Sequence, residues 1–174
     1  VWNAPLPDLV PPKVGPTNTT PWVGSPAAWD YSTLSLPFFR HWDKILQMLD
    51  SKGLIAHLMM YVGNKGVEWP ERLSAADDIY WRYVLGRFGA FSSIVWDVSK
   101  EAGSYNVSAD YVRSRLSQIH RMNAHKRLVT SHSGLHWSNK CDDCNLTMVT
   151  VQQHFGTDDN HSHGEWYDHL IGVK

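Results

Sequence analysis

The chain has 174 residues, 43% of them hydrophobic, which suits one domain with its own core. Lys and Arg total 16 against 17 Asp and Glu, so the formal charge of −1 provides no global field that would draw the protein to nucleic acid or to an anionic membrane. No apolar run approaches the roughly 20 residues that cross a bilayer, and the opening VWNAPLPDLV lacks the charged and apolar regions of a signal peptide, so the chain reads as soluble with any targeting segment removed.

Residues 1–36 are rich in Pro, Gly, Ser and Thr and show no sustained period, which predicts an irregular arm anchored by Trp2, Trp22, Trp29 and Tyr31. Residues 37–174 form a second unit. Phe38, Phe39, Trp42, Ile45, Leu46 and Leu49 recur at three- and four-residue steps, and Gly53 stands where a helix stop is expected. LIAHLMMYVG, residues 54–63, is a short apolar run that reads as a strand buried on both faces. A polar loop follows, then a helix that Asp77 or Asp78 is placed to cap, with Ile79, Tyr80, Tyr83, Val84 and Phe88 as its apolar stripe. Tyr80, Trp81, Tyr83 and Phe88 read as helix packing.

SSIVWDV, residues 92–98, predicts a second buried strand and leads into Lys100 and Glu101. Asp97 within it reads as a structural or supporting residue. A third helix from about Ser108 carries Tyr111, Val112, Leu116, Ile119 and Met122 on one face. RLVTSH, residues 127–132, and LTMVTVQQH, residues 146–154, predict two further strands, and a last helix begins at Glu165. Helix and strand alternate, which implies a parallel sheet with helical crossovers. Polar residues gather beyond each strand: Asn64 and Trp69, Lys100 and Glu101, His132 and Ser133, then Gln153 and His154. In parallel α/β folds that edge is where sites are built. Neither a GxGxxG nor a P-loop motif is present, so nucleotide chemistry loses its usual support.

Nine Trp and seven Tyr suit both core packing and stacking on sugar rings. Of eight Asn, four open an N-x-[S/T] sequon (Asn18, Asn106, Asn145 and Asn160), where about one would arise by chance, which points to a glycosylated, secreted protein. The only cysteines, Cys141 and Cys144, have polar loop flanks instead of a strand–helix junction, and read as a small loop disulfide in preference to free thiols or a redox pair. Zinc would need two further ligands. Neither His132 nor His136, nor the later His154, His161 and His163, stands at a known ligand spacing, so no metal is expected.

The run YWRYVLGRFGAFSSIVWDVSKEA, residues 80–102, resembles a segment of glycosidases related to clan A and the apiosidase-like families, whose fold is a (β/α)₈ barrel. FFRHWDKILQMLDSKGLIAHLMMYVG is similar to the helix and strand before it, and RLVTSHSG and VTVQQH to the two strands after it, so the likeness covers roughly residues 37–156. The resemblance implies O-glycosyl bond hydrolysis on a carbohydrate, without a cofactor. It places the fourth-strand general acid/base on Glu101. The family pattern commonly has Asn before this Glu, where this chain has Lys100, an ammonium that favours the ionised carboxylate unless it points elsewhere.

Tyr61, Asn64, Trp69, Lys100, His132, Trp137, Gln153 and His154 are the candidate substrate contacts; the aromatic residues are equally suited to packing, and a buried histidine is as often structural. Hydrolysis needs a second carboxylate, about 5–5.5 Å away for retention or about 6.5–9.5 Å for inversion. Asp158, Asp159 and Glu165 sit in a polar loop that reads as solvated surface. About four strands are legible, whereas a complete barrel takes about 250 residues. The expectation is therefore a partial TIM-type barrel, with the nucleophile and the remaining strands supplied by a partner chain or a missing segment. The competing reading is a non-catalytic secreted structural or carbohydrate-binding glycoprotein derived from a hydrolase barrel.

Overall fold

The computed structural model describes residues 20–62, 67–100, 107–132, 146–148 and 150. An antiparallel hairpin, β1 (Trp22–Ser25) and β2 (Ala28–Leu34), leads into α1 (Leu36–Ser51). Strand β3 (Ala56–Val62), α2 (Ala75–Phe88), β4 (Ile94–Lys100), α3 (Ala109–Met122) and β5 (Val129–His132) follow in strict alternation. Strands β3, β4 and β5 pair side by side, in sequence order and in parallel. Each crossover is a helix, so this is a partial TIM-type (β/α) barrel whose described sheet has three strands and is not closed.

Side-chain alternation explains the core. Ala56, Leu58 and Met60 of β3 and Ile94, Trp96 and Val98 of β4 point to one face and pack against Trp81, Val84, Val112, Leu116 and Ile119 of the helices. All seven residues of β4 are buried, as befits the central strand of a parallel set. Helix α1 stops as its sequence indicates: Gly53 takes φ +66°, and Gly53 N and Leu54 N close back on Asp50 O and Leu49 O.

Three expectations are corrected. The 1–36 arm is not irregular throughout, because Trp22–Leu34 forms the hairpin. Gly24 is required there: it has φ +123°, and a Cβ would lie 2.4 Å from Ala28 O. The register shifts after Trp22, and the only alternation is the short one of half-buried Trp29 and Tyr31 with exposed Asp30 and Ser32, too brief to mark a strand in a Pro- and Ser-rich stretch. Trp22 is 1% exposed and meets Tyr31, Trp69 and Tyr80 with ring centroids 5.2, 5.2 and 5.6 Å away. Burying a Trp removes roughly 200 Å² from water, about 5 kcal/mol of gross transfer free energy, which ties the hairpin to the barrel segment.

The second correction concerns the cap of α2, which is Ser74, whose hydroxyl accepts from Asp77 N, and not Asp77 or Asp78. Asp77 is itself buried and takes Leu73 N. Third, the strands begin two residues later than the apolar runs suggest, and β4 continues to Lys100.

The start of the predicted 146–154 strand runs along the free edge of β5. Leu128 O serves Trp96 N on the β4 side, while Val129 faces away from β4. Thr147 N and Met148 N donate to Val129 O, Val129 N donates to Thr147 Oγ1, and the Thr130 and Thr150 hydroxyls are 2.9 Å apart. Among the described residues no helix is long and apolar enough to cross a membrane.

Candidate active site

The parallel register brings the C-terminal ends of three strands together: Tyr61 and Val62 beside Ser99 and Lys100, and Lys100 beside His132. Of the residues expected at this edge, Tyr61, Lys100 and His132 are buried and Trp69 is half-buried. Asn64, Glu101, Trp137, Gln153 and His154 lie outside the described residues, as do Cys141, Cys144, Asn18, Asn106, Asn145 and Asn160.

A cleft of about 590 Å³ opens at this edge, walled by Tyr61 from β3, Trp69, Glu71 and Arg72 from the β3–α2 loop, and Ser108 and Tyr111 from the start of α3. Its aromatic wall is fixed in place. Tyr61 and Trp69 stack at 4.9 Å with a 37° tilt, and Trp69 Nε1 donates to Val62 O. Arg72 Nη2 donates to the Tyr61 hydroxyl at 2.9 Å, with its guanidinium 5.1 Å from the ring centre. An apolar face ringed by fixed donors and acceptors is the usual form of a site for a polyhydroxylated ring.

Below the cleft lies a buried polar network that joins α2 to α3. Arg115 and Asp77 are each 3% exposed at the side chain and form an ion pair. Arg115 Nη1 also donates to Asp78 and to Gln118 Oε1. Tyr111 donates to Asp77 Oδ1, Trp81 Nε1 donates to the Tyr111 oxygen, and the guanidinium sits 5.4 and 5.3 Å from the Trp81 and Tyr111 rings. Asp77 Oδ2 holds Leu73 N while Leu73 takes φ +64°, a left-handed conformation that costs a non-glycine residue roughly 1–2 kcal/mol. The ion pair therefore supports two cleft-lining residues, Leu73 and Tyr111.

Arg72 and Tyr111 were not expected at the site. Tyr111 fits the apolar stripe of α3, and only its hydroxyl partners reveal its place; Arg72 follows the strand end in the loop WPER, a position sequence marks as polar and no more.

Burial, then the charges of Tyr111 and Asp77, pushes the Tyr80 phenol well above its usual 10.0; burial and then Asp77 do the same for Tyr111. Both native-state values lie above the unfolded one, so their contribution to stability is complete below about pH 10 and is lost as pH rises beyond it. Denaturant melts across pH 9–12 should show stability falling above pH 10 with a slope approaching about 2.7 kcal/mol per pH unit for two protons. Replacing both tyrosines by Phe removes that slope.

The second cluster centres on Asp97, which is fully buried on the face of the sheet opposite the helices. His57 Nε2 donates to its Oδ2 at 2.7 Å, and Ser99 N and His132 N donate to its Oδ1 at 3.1 and 2.9 Å. The supporting role expected for Asp97 has this physical form: one carboxylate bonded by all three strands.

Parallel strands in sequence order, helical crossovers and an aromatic cleft at the strands' C-terminal edge make this an α/β unit of the glycoside-hydrolase type. The chain belongs to the apiosidase-like catalytic domain family, whose model matches residues 13–168. No curated protein and no solved structure matches the chain.

Proposed function

We propose that the chain hydrolyses an O-glycosidic bond with Glu101 as general acid/base. The observation that carries this reading is that β4 ends at Lys100, immediately before Glu101 in the sequence, at the strand edge where Tyr61, Trp69 and Arg72 wall the cleft. In this reading Tyr61 and Trp69 stack on the sugar, while Lys100 and His132, with Asn64, Trp137, Gln153 and His154, meet its hydroxyls. Glu101 protonates the leaving oxygen and then deprotonates the attacking water. Asp97 is committed to its three donors, so the second carboxylate comes from the part of the barrel outside the described sheet, in this chain or in a partner. The four sequons and the pair Cys141 and Cys144 support a secreted glycoprotein with a loop disulfide.

Incubation with 4-nitrophenyl pentosides and hexosides, as furanosides and pyranosides, should release nitrophenol from at least one sugar. Saturable binding of these glycosides without release from any of them overturns the enzyme reading and leaves a carbohydrate-binding protein.

A further inference from the structure

The β4–β5 pairing is broken where the candidate site begins. Asp97 pairs with Thr130 but Lys100 pairs with His132, so three steps along β4 match two along β5, a β-bulge. Thr130 and His132 are two apart and share one face of β5. Along its other side β4 keeps step with β3, Asp97 with Met59, Ser99 with Tyr61 and Lys100 with Val62, so the shift is confined to the β5 side. A bulge also takes backbone groups out of the ladder, and in a buried strand each unpaired N–H costs roughly 1–3 kcal/mol. Here Ser99 N of β4 and His132 N of β5 both donate to Asp97 Oδ1. His57, reaching across from β3, donates to the other oxygen.

We propose that Asp97 is a positioning residue: its carboxylate takes one backbone N–H group from β4 and one from β5 at the register shift and thereby holds the end of β4, which Glu101 follows in the sequence. This rests on the acid/base reading of Glu101. A carboxylate suits the task because one oxygen accepts both N–H groups and leaves the second for His57. An Asn keeps the first function and exchanges the charge-assisted bond to His57 for a neutral one; an Ala loses both.

The test compares wild type, Asp97→Asn, Asp97→Ala and Glu101→Gln on matched methyl and 2,4-dinitrophenyl glycosides of the sugar released most rapidly in the nitrophenyl panel. Methoxide needs protonation to leave and dinitrophenolate does not, so a displaced acid is felt on the first substrate alone. Asp97→Ala should lose about 10²-fold in kcat/KM on the methyl glycoside and less than about 3-fold in kcat/KM on the dinitrophenyl glycoside. Asp97→Asn should show the same selectivity with about a 5-fold loss. Equal losses on both substrates, or none on the methyl glycoside, overturn the proposal; if the Ala variant does not fold, the Asn variant decides by the same criterion. If Glu101→Gln itself shows no leaving-group selectivity, or no glycoside is turned over, the acid/base reading fails on its own, and amide exchange then judges the clamp. Faster exchange at Ser99 and His132 than elsewhere in β4 and β5 of Asp97→Ala supports it, and unchanged or uniformly changed exchange contradicts it.

Discussion

Replacing Arg115 with Met is expected to lower unfolding stability by about 3–5 kcal/mol, a large part of the 5–15 kcal/mol typical of a domain. The cost arises from the anion left behind. Asp77 is 3% exposed, and without the guanidinium it keeps only the Tyr111 hydroxyl and Leu73 N as donors. Exposed ion pairs such as Arg113 with Asp110 contribute at most about 1 kcal/mol by contrast. Urea unfolding of Arg115→Met, Asp77→Asn and the double variant checks this. The double variant should recover part of the loss, since it no longer buries an unpaired charge; a strictly additive double variant, or a single variant within about 1 kcal/mol of wild type, contradicts it. The damage should also reach the cleft through Leu73 and Tyr111.

The alternation of helices and strands was legible because each apolar run has one meaning in a parallel sheet: Leu58, Met60, Trp96 and Val98 are buried, and the stripes of α1 and α3 face the core at Phe39, Leu46, Val112 and Leu116. Boundaries were less legible for a related reason. Ile55 is 71% exposed and Leu128 47%, yet each sits next to a buried strand residue and extends its apolar run. At the other end Ser99 and Lys100 are buried strand residues with polar side chains, which a hydrophobic pattern reads as loop. The hairpin was hidden by its own exposure and by a Pro–Ala turn with Ala27 at φ +65°, in place of the Asn-Gly or Asp-Gly signal of a tight hairpin. Of the residues expected beyond the strands, Tyr61 and Trp69 line the cleft, whereas Lys100 and His132 are buried at the neighbouring strand ends and do not. The bulge and the Asp97 clamp were invisible, because they depend on pairing between strands 35 residues apart.

The central claim is that Glu101 is the acid/base of a glycoside hydrolase. Glu101 follows the last paired residue of β4, so its substitution should leave the sheet and the melting temperature unchanged. General acid/base groups contribute typically 10²–10⁴-fold, equivalent to about 2.7–5.5 kcal/mol of barrier. The loss of the acid belongs to the leaving-group step, which kcat/KM reports, so it should appear in kcat/KM on a methyl glycoside and be much smaller in kcat/KM on a 2,4-dinitrophenyl glycoside, whose leaving group departs without a proton. The most direct measurement is therefore the ratio of kcat/KM for these two glycosides in Glu101→Gln and in wild type. A ratio shifted by about 10²-fold or more toward the activated substrate, with the fold intact, is the predicted result; turnover of the methyl glycoside that survives Glu101→Gln contradicts the account.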